Sequence, residues 1–326
     1  MTGQLRTDDV HRAVALLRAG GLVALPTETV YGLGADAEDA AAVARVYAAK
    51  GRPHDHPLIV HLGDAAQVDD GWAREIPSWA RLLAAACWPG PLTLVLRRGA
   101  RAGDHVTGAQ DTVGLRVPSH PVARALLVEF GGGVAAPSAN RFGRVSPTDA
   151  EHVVDELGDV LDPARDCVLE GGPSEVGVES TIVDCTGEAP RLLRPGAIGV
   201  EEIEAVTGLE VAEPDAAVRA PGTLAAHYAP TARLVLVDAS EVAEASRAAE
   251  PPLGLLAPDV VPTPEGVLRL AAPEDSAAYA RALYRALRAA DDAGLATVVA
   301  VAPTDGPLAP AVLDRLRRAA HGSANH

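Results

Sequence analysis

Apolar positions Val10, Ala13, Val14, Leu16 and Leu17 recur at three- and four-residue intervals, which predicts an amphipathic helix over 7–19 with Thr7 or Asp8 as N-cap and Gly20-Gly21 as its stop. A short apolar strand is predicted at 22–25, ended by Pro26. The segment PTETVYGLGAD reads as a loop, and 38–50 as an alanine-rich helix capped near Asp36. Further strands are predicted at 58–62, 92–96, 112–117, 133–136, 180–184 and 191–194, with helices at 76–87, 121–130 and 148–157. Some of these strands are joined through helices and others by short turns, so the expected fold class is α/β with a mixed, twisted sheet. From 209 the pattern loses its periodicity, and AEPDAAVRAPGTLAAHYAPT, with three prolines, reads as a linker. Strands at 233–237, 252–256 and 296–301 and helices at 277–293 and 308–320 then predict a second, smaller α/β domain, followed by HGSANH as a disordered tail.

Composition narrows the class. A chain of 326 residues suits two cores rather than one. Hydrophobic residues make up 48%, yet no apolar run approaches the roughly 18 residues of a membrane span. The N-terminus is polar from its start, and a soluble, cytoplasmic chain without membrane contact is expected. Three cysteines, Cys87, Cys167 and Cys185, lack metal or disulfide spacing. A formal charge of −16 opposes broad nucleic-acid binding, so any polyanion must find a local basic site. Of the 28 basic residues only Lys50 is lysine. Where arginine has taken every generic role, a surviving lysine points to a place that needs a compact ammonium.

Three segments carry candidate chemistry. KGRPHDHPLIVH, 50–61, sets Lys50 and Arg52 at a helix end, then a loop bounded by Pro53 and Pro57, then a strand ending in His61. Arg52 can fork two oxygens while Lys50 acts as a point charge, a pair suited to a triphosphate. Taken alone, a basic cap on the helix dipole is the simpler explanation. PTETVYG, 26–32, brings Thr27, Thr29 and Tyr31 directly after a strand, where open α/β sheets hold their ligands. Gly32, Gly34 and Ala37 nearly spell a dinucleotide fingerprint, but a polar loop precedes them, and a nicotinamide site is rejected. APSANRFGRVSPT, 136–148, presents Ser138, Asn140 and Ser146 on tight backbone, which suits phosphate or ribose and equally an ordinary Asx or Ser turn. Arg116, Ser180, Thr181 and Arg194 add polar groups at strand ends.

Together PTETVYGLG, KGRPHDHPLIVH, WPGPLTLVL, VGLRVPSHP, APSANRFGRVSPT, GVESTIVD and RLLRPGAIG, in this order, resemble the threonylcarbamoyl-AMP synthase family, the long form of the YrdC-like proteins. The resemblance runs over about 5–208, and PGTLAAHYAP, 221–230, with the C-terminal domain, is similar to the long form as well. It implies a YrdC-like catalytic domain over 1–208 with a twisted mixed sheet, a linker or lid over 209–232, a small Rossmann-like α/β domain over 233–320 and a tail over 321–326. The implied reaction condenses L-threonine, bicarbonate or carbon dioxide, and ATP, with Mg²⁺, to threonylcarbamoyl-AMP and pyrophosphate. Downstream proteins would carry the product to tRNA, which this chain would touch indirectly or weakly. By the same resemblance Thr29, His61, Arg116 and Ser180 are expected to hold L-threonine. Lys50, Arg52, His56, Ser138, Asn140, Ser146, Arg194 and Tyr228 are expected to hold the nucleotide, with Lys50 and Arg52 catalytic and Tyr228 a lid contact. The chain departs from the family pattern at His56, where members often carry Asn, and at the small residues Thr223, Ala225 and Ala226 of the linker. Two other function classes share the fold: an RNA-binding module, and a carbamoyltransferase domain of the hydrogenase-maturation type.

Overall fold

The computed structural model describes residues 5–213, 221–222 and 226–324. Much of the expected linker, 214–220 and 223–225 with Thr223 and Ala225, therefore lies outside the described residues, as do 325–326. The chain falls into two compact units. One holds Met1–Phe142, Pro147–Ser174 and Glu179–Thr223; the other holds Gly143–Ser146, Glu175–Val178 and Leu224–His326.

In chain order the first unit carries β1 (Arg6–Thr7), α1 (Val10–Arg18), β2 (Val23–Leu25), β3 (Gly32–Asp36), α2 (Ala40–Lys50), β4 (Ile59–His61), β5 (Ala73–Arg74), α3 (Ser78–Cys87) and β6 (Leu92–Arg98). There follow α4 (Asp104–Thr107), β7 (Thr112–Arg116), α5 (Pro121–Phe130), β8 (Val134–Ala135), α6 (Ala150–Leu157), β9 (Cys167–Leu169), β10 (Thr181–Asp184), β11 (Arg191–Arg194) and α7 (Val200–Thr207). Its strands form one mixed sheet in the order β1-β9-β2-β3-β8-β4-β7-β6-β10-β11, with β5 on β6. The α/β class and mixed sheet expected from the sequence are present.

Three local expectations are corrected. The N-caps are Asp9, which accepts from Arg12 N at 3.0 Å, and Asp39, which accepts from Ala41 N and Ala42 N at 2.9 and 3.1 Å; neither Thr7, Asp8 nor Asp36 caps. The stretch Gly32–Asp36, read as loop, is β3, antiparallel to both β2 and β8. Glycine hid it: a Cβ on Gly34 would come within 2.7 Å of Val134 Cγ1 and 2.9 Å of Leu25 Cδ2, so close strand packing demanded the residue that normally argues against a strand. The supposed tail starts as the last turn of a helix, described next.

The second unit contains β12 (Arg233–Leu236), α8 (Val242–Ala248), β13 (Leu253–Leu256), β14 (Leu268–Ala271), α9 (Ser276–Asp292), β15 (Thr297–Ala300) and α10 (Ala309–Ser323). Its four strands are parallel in the order β12-β15-β13-β14, as expected of a small Rossmann-like layer. His321 to Ser323 belong to α10, and Ser323 is 5% exposed because its hydroxyl accepts from Leu234 N at 2.9 Å. Among the described residues no helix is long and apolar enough to cross a membrane.

What positions a site is the period-two alternation in the first unit's sheet. Val60, Leu92, Leu94, Leu96, Val113, Leu115 and Val183 point into the main core beneath α2, α3, α4 and α7. The opposite face is covered by α1 and α5 only around β2, β8 and β9. Over β4, β7, β6 and β10 that face carries just a small apolar group, Ile59, Val95 and Ile182. His61, Arg116 and Thr93 share it, two residues along from Ile59, Gly114 and Val95.

Candidate functional site

Lys50 ends α2, yet its side chain does not cap the helix. The terminal carbonyls are satisfied by backbone: Gly51, left-handed at φ 62°, donates to Ala48 O at 3.2 Å and Arg52 N donates to Tyr47 O at 3.0 Å. Lys50 instead runs into the protein, 3% exposed, and its ammonium donates to Ser138 O at 2.5 Å and to Asn140 O. An ammonium has three donors, so these two carbonyls aim it and leave one N–H for a further acceptor. Burial and the nearby Arg52 guanidinium push its pKa well below the usual lysine range, opposed only by Glu156. Arg52 is buried too, donates to Pro57 O at 3.0 Å and lies 5.7 Å from the Phe142 ring centroid. His56 meets that ring edge-on at 5.4 Å, and its carbonyl accepts from Tyr47 OH at 2.9 Å. Lys50, Arg52, His56, Ser138 and Asn140 are thus brought together, with Phe142 as a member the sequence reading missed.

The second cluster occupies the half of that sheet face that α1 and α5 do not cover, and its side chains are buried. His61 of β4 and Arg116 of β7 stand in register on adjacent strands. Arg116 Nη1 donates to Thr29 Oγ1 at 2.9 Å, Nη2 lies 2.8 Å from Glu28 Oε1, and Nε reaches Gly90 O at 3.4 Å. Thr29 Oγ1 is 2.8 Å from Thr27 Oγ1, which also donates to Val30 O at 2.6 Å, so the TET turn is fixed from within. One strand further, Ser180 Oγ pairs with Thr93 Oγ1 at 2.8 Å. Arg194, expected beside the nucleotide, is placed against Ser180, donating to its carbonyl at 3.0 Å and its hydroxyl at 3.1 Å. The two clusters are tied by backbone: Leu33 N donates to Pro137 O and Ala139 N to Tyr31 O, both at 2.8 Å, and Gly32 bridges Ser138. Glu28 and Thr93 had no sequence signal beyond lying inside the quoted motifs.

Ser146 and Tyr228 are not in this unit. Ser146, wholly buried, falls with Gly143–Ser146 in the second unit, where Ala229 N donates to Gly143 O at 2.9 Å and Arg288 to Val145 O. Tyr228 is 1% exposed there, its ring 5.7 Å from that of Tyr284 and 5.5 Å from the Arg315 guanidinium carbon. It holds a left-handed φ of 63°, unusual without glycine. Within the described end of the expected linker Tyr228 is packed structure, and truncating it removes core contacts of its unit.

Electrostatics distinguish the amino-acid cluster. Burial, the largest single influence, pushes the Glu28 carboxyl up, but the Arg116 guanidinium together with the backbone donors of Glu28 and Ser119 outweighs it and leaves Glu28 below the ordinary glutamate value. His61 is 4% exposed, its Nδ1 lacks a hydrogen-bond partner, and burial followed by Arg116 pushes its pKa down to about 3 from 6.5. Below pH 6.5 the unfolded chain therefore binds a proton that the folded chain refuses until about pH 3. Native stability should fall as pH drops through that window, by up to about 1.4 kcal/mol per pH unit. Glu28 adds its own loss only below its ordinary value of 4.5. Denaturant titrations of wild type and His61→Gln between pH 6.5 and 4.5 check this: the variant should show a shallower slope, and equal slopes would mean that His61 is charged when folded.

The Sua5/yciO/yrdC family model, described as "Telomere recombination", matches residues 15–196, and the model "Threonylcarbamoyl-AMP synthase, C-terminal domain" matches 198–321. The chain belongs to the threonylcarbamoyl-AMP synthase family. The Bacillus subtilis threonylcarbamoyl-AMP synthase is 40% identical to it, over 99% of this chain and 96% of the relative. The Pyrococcus abyssi synthase is 38% identical, over 95% and 93%. The crystal structure of P. abyssi Sua5 complexed with L-threonine superposes with a TM-score of 0.86 at 36% identity, covering 98% of this chain and 97% of that one. Membership makes the chain an ATP-using enzyme of the nucleotidyltransferase type that forms threonylcarbamoyl-AMP for tRNA modification.

Proposed function

We propose that the first unit's polar sheet face performs this synthesis, with L-threonine held by Arg116, Thr29, Ser180 and His61 and the ATP phosphates met by Lys50 and Arg52, flanked by Ser138, Asn140, His56 and Arg194. The threonine amine adds to carbon dioxide, drawn from bicarbonate, and loses a proton to give a carbamate. A carbamate oxygen then bonds to the α-phosphorus as the bond to the pyrophosphate oxygen breaks. No protein nucleophile is required, so the residues contribute position and charge. Arg116 offers its remaining N–H groups to the amino-acid carboxylate. Neutral His61, with its unpaired Nδ1, offers a hydrogen bond without adding charge beside Arg116. Lys50, aimed by two carbonyls, gives its third N–H to the phosphates, and Arg52 lies beside it.

Among the described residues no cluster of His, Cys, Asp or Glu is placed to hold a metal ion. The residues named here all belong to the first unit, whereas Ser146 and Tyr228, expected at the nucleotide by resemblance, belong to the second. A net charge of −16 and a full-length match to synthases favour this over the RNA-binding and carbamoyltransferase readings. The observation that carries it is the buried, pre-aimed Lys50 tied by backbone to the Arg116 cluster. Pyrophosphate release measured with threonine, bicarbonate or both omitted tests it: release should need both, and release from ATP alone would refute it.

A further inference from the structure

Arg116 is held on three sides, and one of its holders is a buried carboxylate that the chemistry above does not use. Glu28 lies between Thr27 and Thr29 and is 3% exposed. Its Oε1 sits 2.8 Å from Arg116 Nη2, while Thr29 accepts from Nη1 at 2.9 Å and Gly90 O faces Nε at 3.4 Å. Thr29 therefore holds one end of the guanidinium fork by a hydrogen bond, while Glu28, its neighbour in the same internally bonded turn, sets a charge 2.8 Å from the other end without an aligned hydrogen bond. Burying a carboxylate is costly, and a well-packed apolar side chain would fill the space at less expense. An Arg–carboxylate pair does two things that an apolar residue cannot. It draws the Nη2 end of the guanidinium to one side by charge, and it neutralises a buried cation before substrate arrives.

We infer that Glu28 is a positioning residue for the amino-acid site: it locks the Arg116 fork so that its remaining N–H groups face the substrate carboxylate. The inference rests on the assignment of Arg116 to that carboxylate. Two side chains from the TET turn, Thr29 and Glu28, thereby act as one device, and the acidic member keeps the empty site near neutrality. A zwitterionic amino acid then enters a pocket that already matches its zero net charge. Glu28 also opposes the effect of Arg116 on His61, raising the pKa that Arg116 lowers.

The test is steady-state kinetics of Glu28→Gln and Glu28→Asp, with threonine and ATP varied separately. Glutamine keeps the shape and removes the charge. Its KM for threonine should rise about tenfold to hundredfold, the scale of a misaligned charge-assisted bond, while KM for ATP and kcat stay within about threefold of wild type. Aspartate, which keeps the charge on a shorter stem, should recover part of the threonine affinity. An unchanged threonine KM in folded Glu28→Gln overturns the inference, as does a fall in kcat with both KM values unchanged. Should the glutamine variant not fold, aspartate carries the test: a raised threonine KM with unaltered ATP KM supports the role, and wild-type values for both overturn it. Failure of the underlying function would show differently, as wild-type turnover that ignores threonine.

Discussion

Lys50→Ala is expected to lower threonine-dependent pyrophosphate release by about a hundredfold or more, the scale of losing a preorganised charge at a reacting phosphate. The sole lysine of the chain is held by Ser138 O and Asn140 O so that one N–H remains to be given. Its surroundings otherwise disfavour its charge through burial and Arg52, which is the situation a polyanion relieves. Alanine also leaves two carbonyls without their donor, at about 1–3 kcal/mol each where they stay dry, so a lower melting temperature accompanies the lost rate. Threonine binding should survive, because the Arg116 cluster does not depend on Lys50. Lys50→Arg should not restore turnover, since a planar fork cannot replace a compact ammonium between two carbonyls. Near-normal release from either variant, measured at saturating ATP, would remove Lys50 from the reaction.

Arg116→Ala should reduce kcat/KM for threonine by about a hundredfold to a thousandfold, in the range for truncating one partner of a buried charge pair. The same change strands Glu28, 3% exposed, without its cation. Breaking a buried pair from one side typically costs about 3–5 kcal/mol of stability. The double variant Glu28→Gln/Arg116→Met removes both charges, and its melting temperature should recover most of that loss while activity stays low. Denaturation and kinetics on the three proteins check both halves. Equal stabilities of Arg116→Ala and wild type would mean that the pair is solvated rather than buried, and a wild-type threonine KM would detach Arg116 from the substrate.

Which parts were legible follows from the physics of each element. His61, Arg116 and Ser180 stand at the boundaries of apolar strands, the ends where α/β sheets hold ligands, but that His61 and Arg116 share one face follows from the parallel pairing of β4 with β7. Lys50 stood out by composition. β3 was illegible because its glycines serve close packing of β2 and β8, a reason visible only in three dimensions. Glu28 was illegible because a carboxylate in a polar turn is ordinarily solvated, and its burial depends on an arginine 88 residues later (116 − 28). Thr93 was masked by the apolar run LTLVL around it. Tyr228 sits in a proline-bearing stretch without periodicity, because its packing partners Tyr284 and Arg315 come from distant helices of the second unit. The hydrogen bonds of Arg194 to Ser180, which join an expected nucleotide residue to the amino-acid cluster, had no signal in motif spacing.

One cluster gripping a carboxylate and a neighbouring one reaching for phosphates is the claim on which the proposed chemistry turns, and a crystal structure with L-threonine and a non-hydrolysable ATP analogue addresses it directly. The threonine carboxylate should lie within about 3 Å of Arg116 N–H groups, with the phosphates reached by Lys50 and the amine between the two. Threonine and triphosphate found on separate faces of the first unit, or phosphates out of reach of Lys50, would contradict it.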